Sequence, residues 1–305
     1  MSGHVASEAL FGSQSRGDAD AFSDRDILIV DDDHVALSKR REILESDGWS
    51  VASYTFRKLE TLAQKRALFL QHLKFEAKIT RDVGGRLRDI LDDFAPKQDY
   101  SAELIENAQL ASIARLRPDT TLGSLWACDV LYVAVRNFGI LALASKGCHV
   151  YGYSDVLGHL VEFGMLREAA VPSLLKLRFA KSLYRSSIEV PNRRARILLD
   201  AAVAHLPDHV TVGPFRALSP RDLISNVENL PAGSPNYHRL RSLERTYVAL
   251  LSLAPVVAQQ PEFTTLRRWI RNPRAYAGYA SQHEPRLNEL FANLSSWRAS
   301  DGAAA

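Results

Sequence analysis

Apolar residues recur with two different periods along this chain, and the change from one to the other divides it near residue 97. Val5–Phe11 reads as a strand and breaks at Gly12-Ser13. A polar stretch, Gln14–Ser23, leads into Asp24–Val30, a short β-rich run (DRDILIV) closed by Asp31–Asp33. Residues 36–46 have the spacing of an amphipathic helix, with Gly48 where a helix stop is expected, and Trp49–Tyr54 (WSVASY) is a third strand. Helices are predicted over 57–80, with a break at Arg66-Ala67, and over 86–94, with Pro96 as a boundary. Strands alternating with helices in this way define a small mixed α/β domain over residues 1–97.

Beyond Asp99 the period is helical throughout. Segments 101–116, 122–146, 155–168 and 173–187 carry helix-spaced apolar residues, punctuated by Pro118, Gly147 and Pro172. Prolines at 191, 207, 214, 220, 231 and 235 cut the next stretch into loops and short helices, and helices resume at 238–256, 262–271 and 284–297. The expected architecture is α+β: a small mixed sheet with flanking helices, then an all-α region over 98–298 with a subdivision near 190.

Composition narrows the class. The chain has 305 residues, 46% of them hydrophobic and 24% charged, which excludes collagen-like, disulfide-scaffold and wholly disordered readings. The most apolar stretch, 122–144, contains Asp129 and Arg136, so it reads as a buried helix rather than a span, and no membrane partner is expected. MSGHVASEAL lacks the pattern of a signal peptide, and two cysteines form no disulfide framework, so the expected setting is the reducing cytoplasm. Net charge is only +3, but its distribution is uneven. Residues 1–33 hold eight acids and two arginines, whereas residues 191–305 hold fourteen arginines, no lysine and nine acids. That asymmetry suits a protein handling cations and a polyanion together; scattered solvated charge is the plainer alternative.

Chemistry concentrates in one run, Leu10-Phe11-Gly12-Ser13-Gln14-Ser15-Arg16-Gly17-Asp18, followed by Ser23-Asp24-Arg25-Asp26-Ile27-Leu28. After a strand, Gly12 and Ser13 let backbone N–H groups approach a phosphate, with the hydroxyl as a further donor. Asp24 and Asp26 are two apart on a strand, so both side chains project from one face, ~7 Å apart along the backbone. Such a pair can converge on divalent ions ~3.5–4 Å apart, as in-line phosphoryl displacement requires. Hard carboxylate oxygens beside phosphate favour Mg²⁺.

Gly-Ser, ten residues and Asp-x-Asp together resemble the polymerase-β nucleotidyltransferase superfamily, and the spelling FGSQSRGD…SDRDIL is most similar to its minimal, antitoxin-like bacterial branch. The resemblance spans residues 5–30 and extends more loosely to residue 95. It implies a nucleotidyltransferase fold in which Gly12 and Ser13 bind the triphosphate and Asp24 and Asp26 hold Mg²⁺. The implied reaction moves a nucleoside monophosphate from a nucleoside triphosphate, ATP first among them, to a hydroxyl. The acceptor stays open among a protein side chain, a small molecule and an RNA end. Two departures stand out: the chain starts almost on the first strand, and the strand expected to carry a third carboxylate, Trp49–Tyr54, has no acid. The second favours the alternative of a non-catalytic nucleotide-sensing or partner-binding module.

Other residues are weighed against plainer roles. Arg16 is read as a phosphate contact, with a turn brace through Asp18 or Asp20 as the alternative. Gly17 is read as a turn residue with positive φ. Asp32 lies ~20 Å beyond Asp26 on an extended chain, too far to share its metal. Glu76 reads first as a solvated acid on a packing helix and second as the missing base. Arg178, Lys181 and Arg185 form a basic stripe at i, i+3 and i+7, a phosphate-binding face or an outer solvated one. Asp129 and Arg136 share a helix face, where a buried charge needs a partner. An Arg followed four to six residues later by His, the pattern of some ribonucleases fused to such domains, is absent after both Arg136 and Arg178. His205 and His209 flank Pro207 and read as loop.

Overall fold

The computed structural model describes residues 5–17, 25–186, 190–210, 212–226, 230, 234–271 and 284–301. The chain forms two compact units, Met1–Ala102 with Gly139–Leu160, and Glu103–Phe138 with Val161–Ala305.

In the first unit, β1 (Ser7–Phe11), β2 (Asp26–Val30), β3 (Ser50–Tyr54) and β4 (Lys78–Asp82) form a mixed sheet of order β3-β2-β1-β4. β1 is antiparallel to both its neighbours, while β2 and β3 run parallel. β2 is buried along its whole length, as its DILIV run requires of a central strand covered on both faces. One face packs Ile27, Ile29 and Val5 against Leu37 and Leu44 of α2 (His34–Ser46). The other packs Ala9, Phe11, Leu28 and Val30 against α3 (Phe56–Gln64), α4 (Leu68–Glu76) and α5 (Arg86–Asp92). Between β1 and β2 lies a single helical turn, α1 (Ser13–Arg16).

Two segments differ from the periodicity reading. The stretch 57–80 does break at Arg66, which adopts φ 50°, but its last part is not helix: Lys78–Asp82 is β4. KITRD carries β-branched Ile79 and Thr80, and pairing with β1 decides its state over the helical period upstream. The proline-cut stretch after residue 191 contains a full helix, α10 (Asn192–Val203), because Pro191 stands at the N-cap, where its missing N–H costs no hydrogen bond.

Among the described residues, the regular structure of the second unit is helical except for a short parallel pair, β5 (Leu116–Pro118) with β6 (Arg216–Leu218), which corrects the expectation of helix throughout. Three-residue strands a hundred positions apart leave no periodic trace. α6 (Ser101–Ile113) leads into β5. The 24-residue α7 (Thr121–Ala144) is divided between the units, and α8 (Tyr153–Glu162) belongs to the first. The second unit then holds α9 (Val171–Arg185), α10, α11 (Pro220–Ser225), α12 (Asn236–Leu253), α13 (Thr264–Arg271) and α14 (Glu284–Asp301). Leu223, Leu243, Leu250, Phe263, Leu266 and Leu290 form a core shared by the last four. By length and composition α7 could cross a membrane, yet 83% of its most apolar window is buried within the protein.

Gly139 marks a close approach of α7 to α8: a Cβ there would stand 2.2 Å from Val156 Cγ1 and 3.1 Å from Leu160 Cδ1. Gly139→Ala is therefore expected to destabilise the first unit by ~1–3 kcal/mol, the usual cost of overpacking. Denaturant titration checks this, and an unchanged midpoint would show that the two helices separate freely.

Candidate active site

The site is built around the end of β1. Gly12 leaves the strand at φ 70°, ψ −149°, a conformation closed to residues with a Cβ. Its carbonyl accepts the N–H groups of Ser15 and Arg16 and the Ser15 hydroxyl, at 3.1, 3.2 and 2.8 Å, which closes α1. Gly17 ends the turn in the left-handed region, as expected of it. Asp26 opens β2 directly opposite Phe11, so its side chain shares the sheet face of Phe11, Leu28 and Val30. Its carboxylate is buried, 8% exposed, and presses on the turn: Asp26 Oδ2 lies 2.9 Å from where a Gly12 Cβ would stand. Gly12, Ser13 and Asp26 are thus brought together, while Asp24 lies outside the described residues.

Arg16 ends α1 and donates from Nη1 to Glu76 Oε2 at 2.5 Å. Asp18 and Asp20, its alternative partners, lie outside the described residues. Glu76 ends α4 and is not the solvated acid its helical position suggests. Its side chain is 9% exposed, and the same Oε2 is also bonded to His72 Nε2 at 2.8 Å. Asp32 is occupied elsewhere, accepting from the Phe56 N–H and pairing with Arg86. The register sets Ser50 and Ala52 of β3 beside Asp26 and Leu28, so β3 offers no carboxylate to the site.

Next to this turn lies a cavity of about 490 Å³, bounded by Arg16, Glu76, Lys78, Phe75, His149 and Tyr151 among others. Every one of these belongs to the first unit. Segment 149–151 is fastened to α4 by paired rings. His72 stacks on Tyr151 at 4.3 Å and 22°, and Phe75 on His149 at 4.4 Å and 16°. His72 also meets the Phe11 ring edge-on at 5.6 Å. Gln71, fully buried, accepts from Tyr100 Oη at 2.5 Å and bonds His149 Nδ1 at 2.8 Å. Burial lowers the His149 pKa from the usual histidine value.

Sequence reasoning missed Gln71, His72, His149 and Tyr151. His149 and Tyr151 follow a helix stop at Gly147, a position with no motif to flag it. Among the described residues, no group of three or more His, Cys, Asp or Glu side chains is placed to hold a metal.

The basic stripe of α9 also reads differently in three dimensions. Arg185 turns inward to pair with Asp129 and Glu244, and Lys181 sits 5.0 Å over the Tyr132 ring. The stripe is therefore not a free phosphate-binding face: helical spacing set these bases on one side, and buried acids claimed Arg185.

Residues 1–80 match the family model of the nucleotidyltransferase domain. β1, β2, β3, the Gly12-Ser13 turn and Asp26 fall inside that match, which ends within β4, and the domain class works on nucleoside triphosphates, usually with a divalent metal. No curated protein and no solved structure matches the chain.

Proposed function

We propose that the first unit moves a nucleoside monophosphate from a nucleoside triphosphate to a hydroxyl of a protein, a small molecule or an RNA, as a member of the minimal, antitoxin-like branch acting in the cytoplasm. The observation that supports this most is the Asp26 carboxylate set against the Gly12 turn, within reach of whatever that turn binds. Its buried oxygens are hard donors that fit Mg²⁺, and Asp26 with Asp24 would hold it. Bound there, Mg²⁺ would supply charge neutralisation to the phosphates. Gly12 and Ser13 bring the backbone close to the triphosphate, and Arg16 orients it once the guanidinium exchanges Glu76 for phosphate oxygens. The work of these residues is positioning and electrostatic stabilisation.

The acid-free β3 favours a second reading, a non-catalytic nucleotide sensor. Pyrophosphate release by purified protein with each nucleoside triphosphate, with and without Mg²⁺, separates the two. Release is expected from wild type and not from Gly12→Ala, whose Cβ meets Asp26 Oδ2 at 2.9 Å and whose φ is strained. Tight nucleotide binding without release would support the sensor.

A further inference from the structure

His149 lines the cavity beside α1, and its Nδ1 is bonded to the buried Gln71. An amide nitrogen can only donate, so the Gln71 Nε2 bond to His149 Nδ1 makes that ring nitrogen an acceptor. A neutral imidazole with Nδ1 accepting carries its proton on Nε2. On its other side Gln71 Oε1 accepts from the Tyr100 hydroxyl, itself 2% exposed. Two buried polar side chains thus stand in line behind one ring of the cavity wall, and burial lowers that ring's pKa. Among the described residues, none is hydrogen-bonded to His149 Nε2.

The rest of the wall narrows what would accept this bond. Phe75 and Tyr151, each stacked on a histidine ring, border the space. The lining carries two cations, Arg16 and Lys78, and two carboxylates, Glu76 and Asp155, with Arg16 paired to Glu76, so an uncharged group fits better than a free anion. A volume of about 490 Å³ is in the range of small-molecule sites. Ser15 and Arg16, which border it, end the turn that Gly12 and Ser13 begin, about 5 Å or one helical turn away.

We propose that His149 is the nucleobase-reading residue of this unit: its Nε2–H donates to a lone pair on the base of a bound nucleoside triphosphate, and Gln71 with Tyr100 are positioning residues that fix the tautomer. This rests on the nucleotidyltransferase reading above. Three measurements test it. Nitrogen NMR of the ligand-free protein should find the His149 proton on Nε2 at neutral pH; a proton on Nδ1 would overturn the proposal. Calorimetry with Mg²⁺ should show His149→Ala weakening binding of at least one nucleoside triphosphate about tenfold, with His149→Gln, which keeps a donor, recovering part of the loss. Binding of Mg²⁺-tripolyphosphate, which has no base, should be the same in all three proteins. Equal nucleotide affinity in wild type and His149→Ala, or an equal loss for nucleotide and tripolyphosphate, would overturn the base-reading role while leaving the phosphate site standing. Failure of wild type to bind either ligand would instead remove the nucleotidyltransferase reading, and this inference with it.

Discussion

Asp26→Asn is expected to lose Mg²⁺-dependent triphosphate binding by at least about a hundredfold, ~3 kcal/mol, and to abolish any nucleotidyl transfer, while the protein stays folded. Asparagine keeps the shape of the side chain against the Gly12 turn, so packing around a group only 8% exposed is preserved. What changes is charge: a neutral amide oxygen is a poor ligand for a hard divalent cation, and Asp24 alone cannot hold the ion. Any repulsion between the two aspartates is relieved at the same time, which offsets part of the cost of the change. Calorimetric titration with a non-hydrolysable ATP analogue, with and without Mg²⁺, measures the loss, and a thermal scan confirms the fold. Equal binding by the two proteins would leave only a fold resemblance and no metal site.

The parts of this site that were legible in the sequence are those whose chemistry depends on local spacing. Gly12, Ser13 and Asp26 are joined by a strand, a turn and a second strand, and antiparallel pairing of Phe11 with Asp26 brings them together by short-range geometry. Glu76 and His149 lie about 60 and 130 residues further on, and nothing local places them. Glu76 reaches Arg16 only because α4 ends where β4 begins beside β1. His149 reaches the site only because residues Gly139–Leu160 join the first unit, a long-range choice no periodicity encodes. The same limit explains β4 and the β5–β6 pair, whose state is set by partners rather than by their own residues. Long, strongly periodic helices such as α7 and α12 were legible within a few residues, since a helix carries its hydrogen bonds within itself.

Asp129 was flagged by the sequence as a charge in need of a partner, and the structure supplies an unusually complete answer, from which the largest stability effect in the molecule is expected. Its carboxylate, 1% exposed, pairs with Arg185 and with Arg241 Nη2 at 2.7 Å. Glu244, equally buried, lies 3.2 Å from Arg241 and 3.5 Å from Arg185, and accepts from Tyr184 Oη at 2.6 Å. Two acids and two arginines close a neutral ring of charge. Burial opposes ionisation of Asp129, but Arg185, Arg241 and Lys181 outweigh it and hold the carboxyl below its usual range. A group with a depressed folded pKa stabilises above its unfolded value, ~3.9, and that contribution is lost as pH falls through the folded value. Wild type should therefore lose stability steeply below about pH 4, and Asp129→Asn less steeply. At neutral pH Asp129→Asn leaves Glu244 alone against two buried guanidinium groups, one positive charge uncompensated, and should cost ~3–5 kcal/mol. Adding Arg185→Met should recover part of that loss, because the uncompensated cation leaves with it. Denaturant titrations of the single and double variants at two pH values measure both effects. A loss under ~1 kcal/mol for Asp129→Asn would mean that water reaches the ring and screens it, since exposed pairs contribute no more than that.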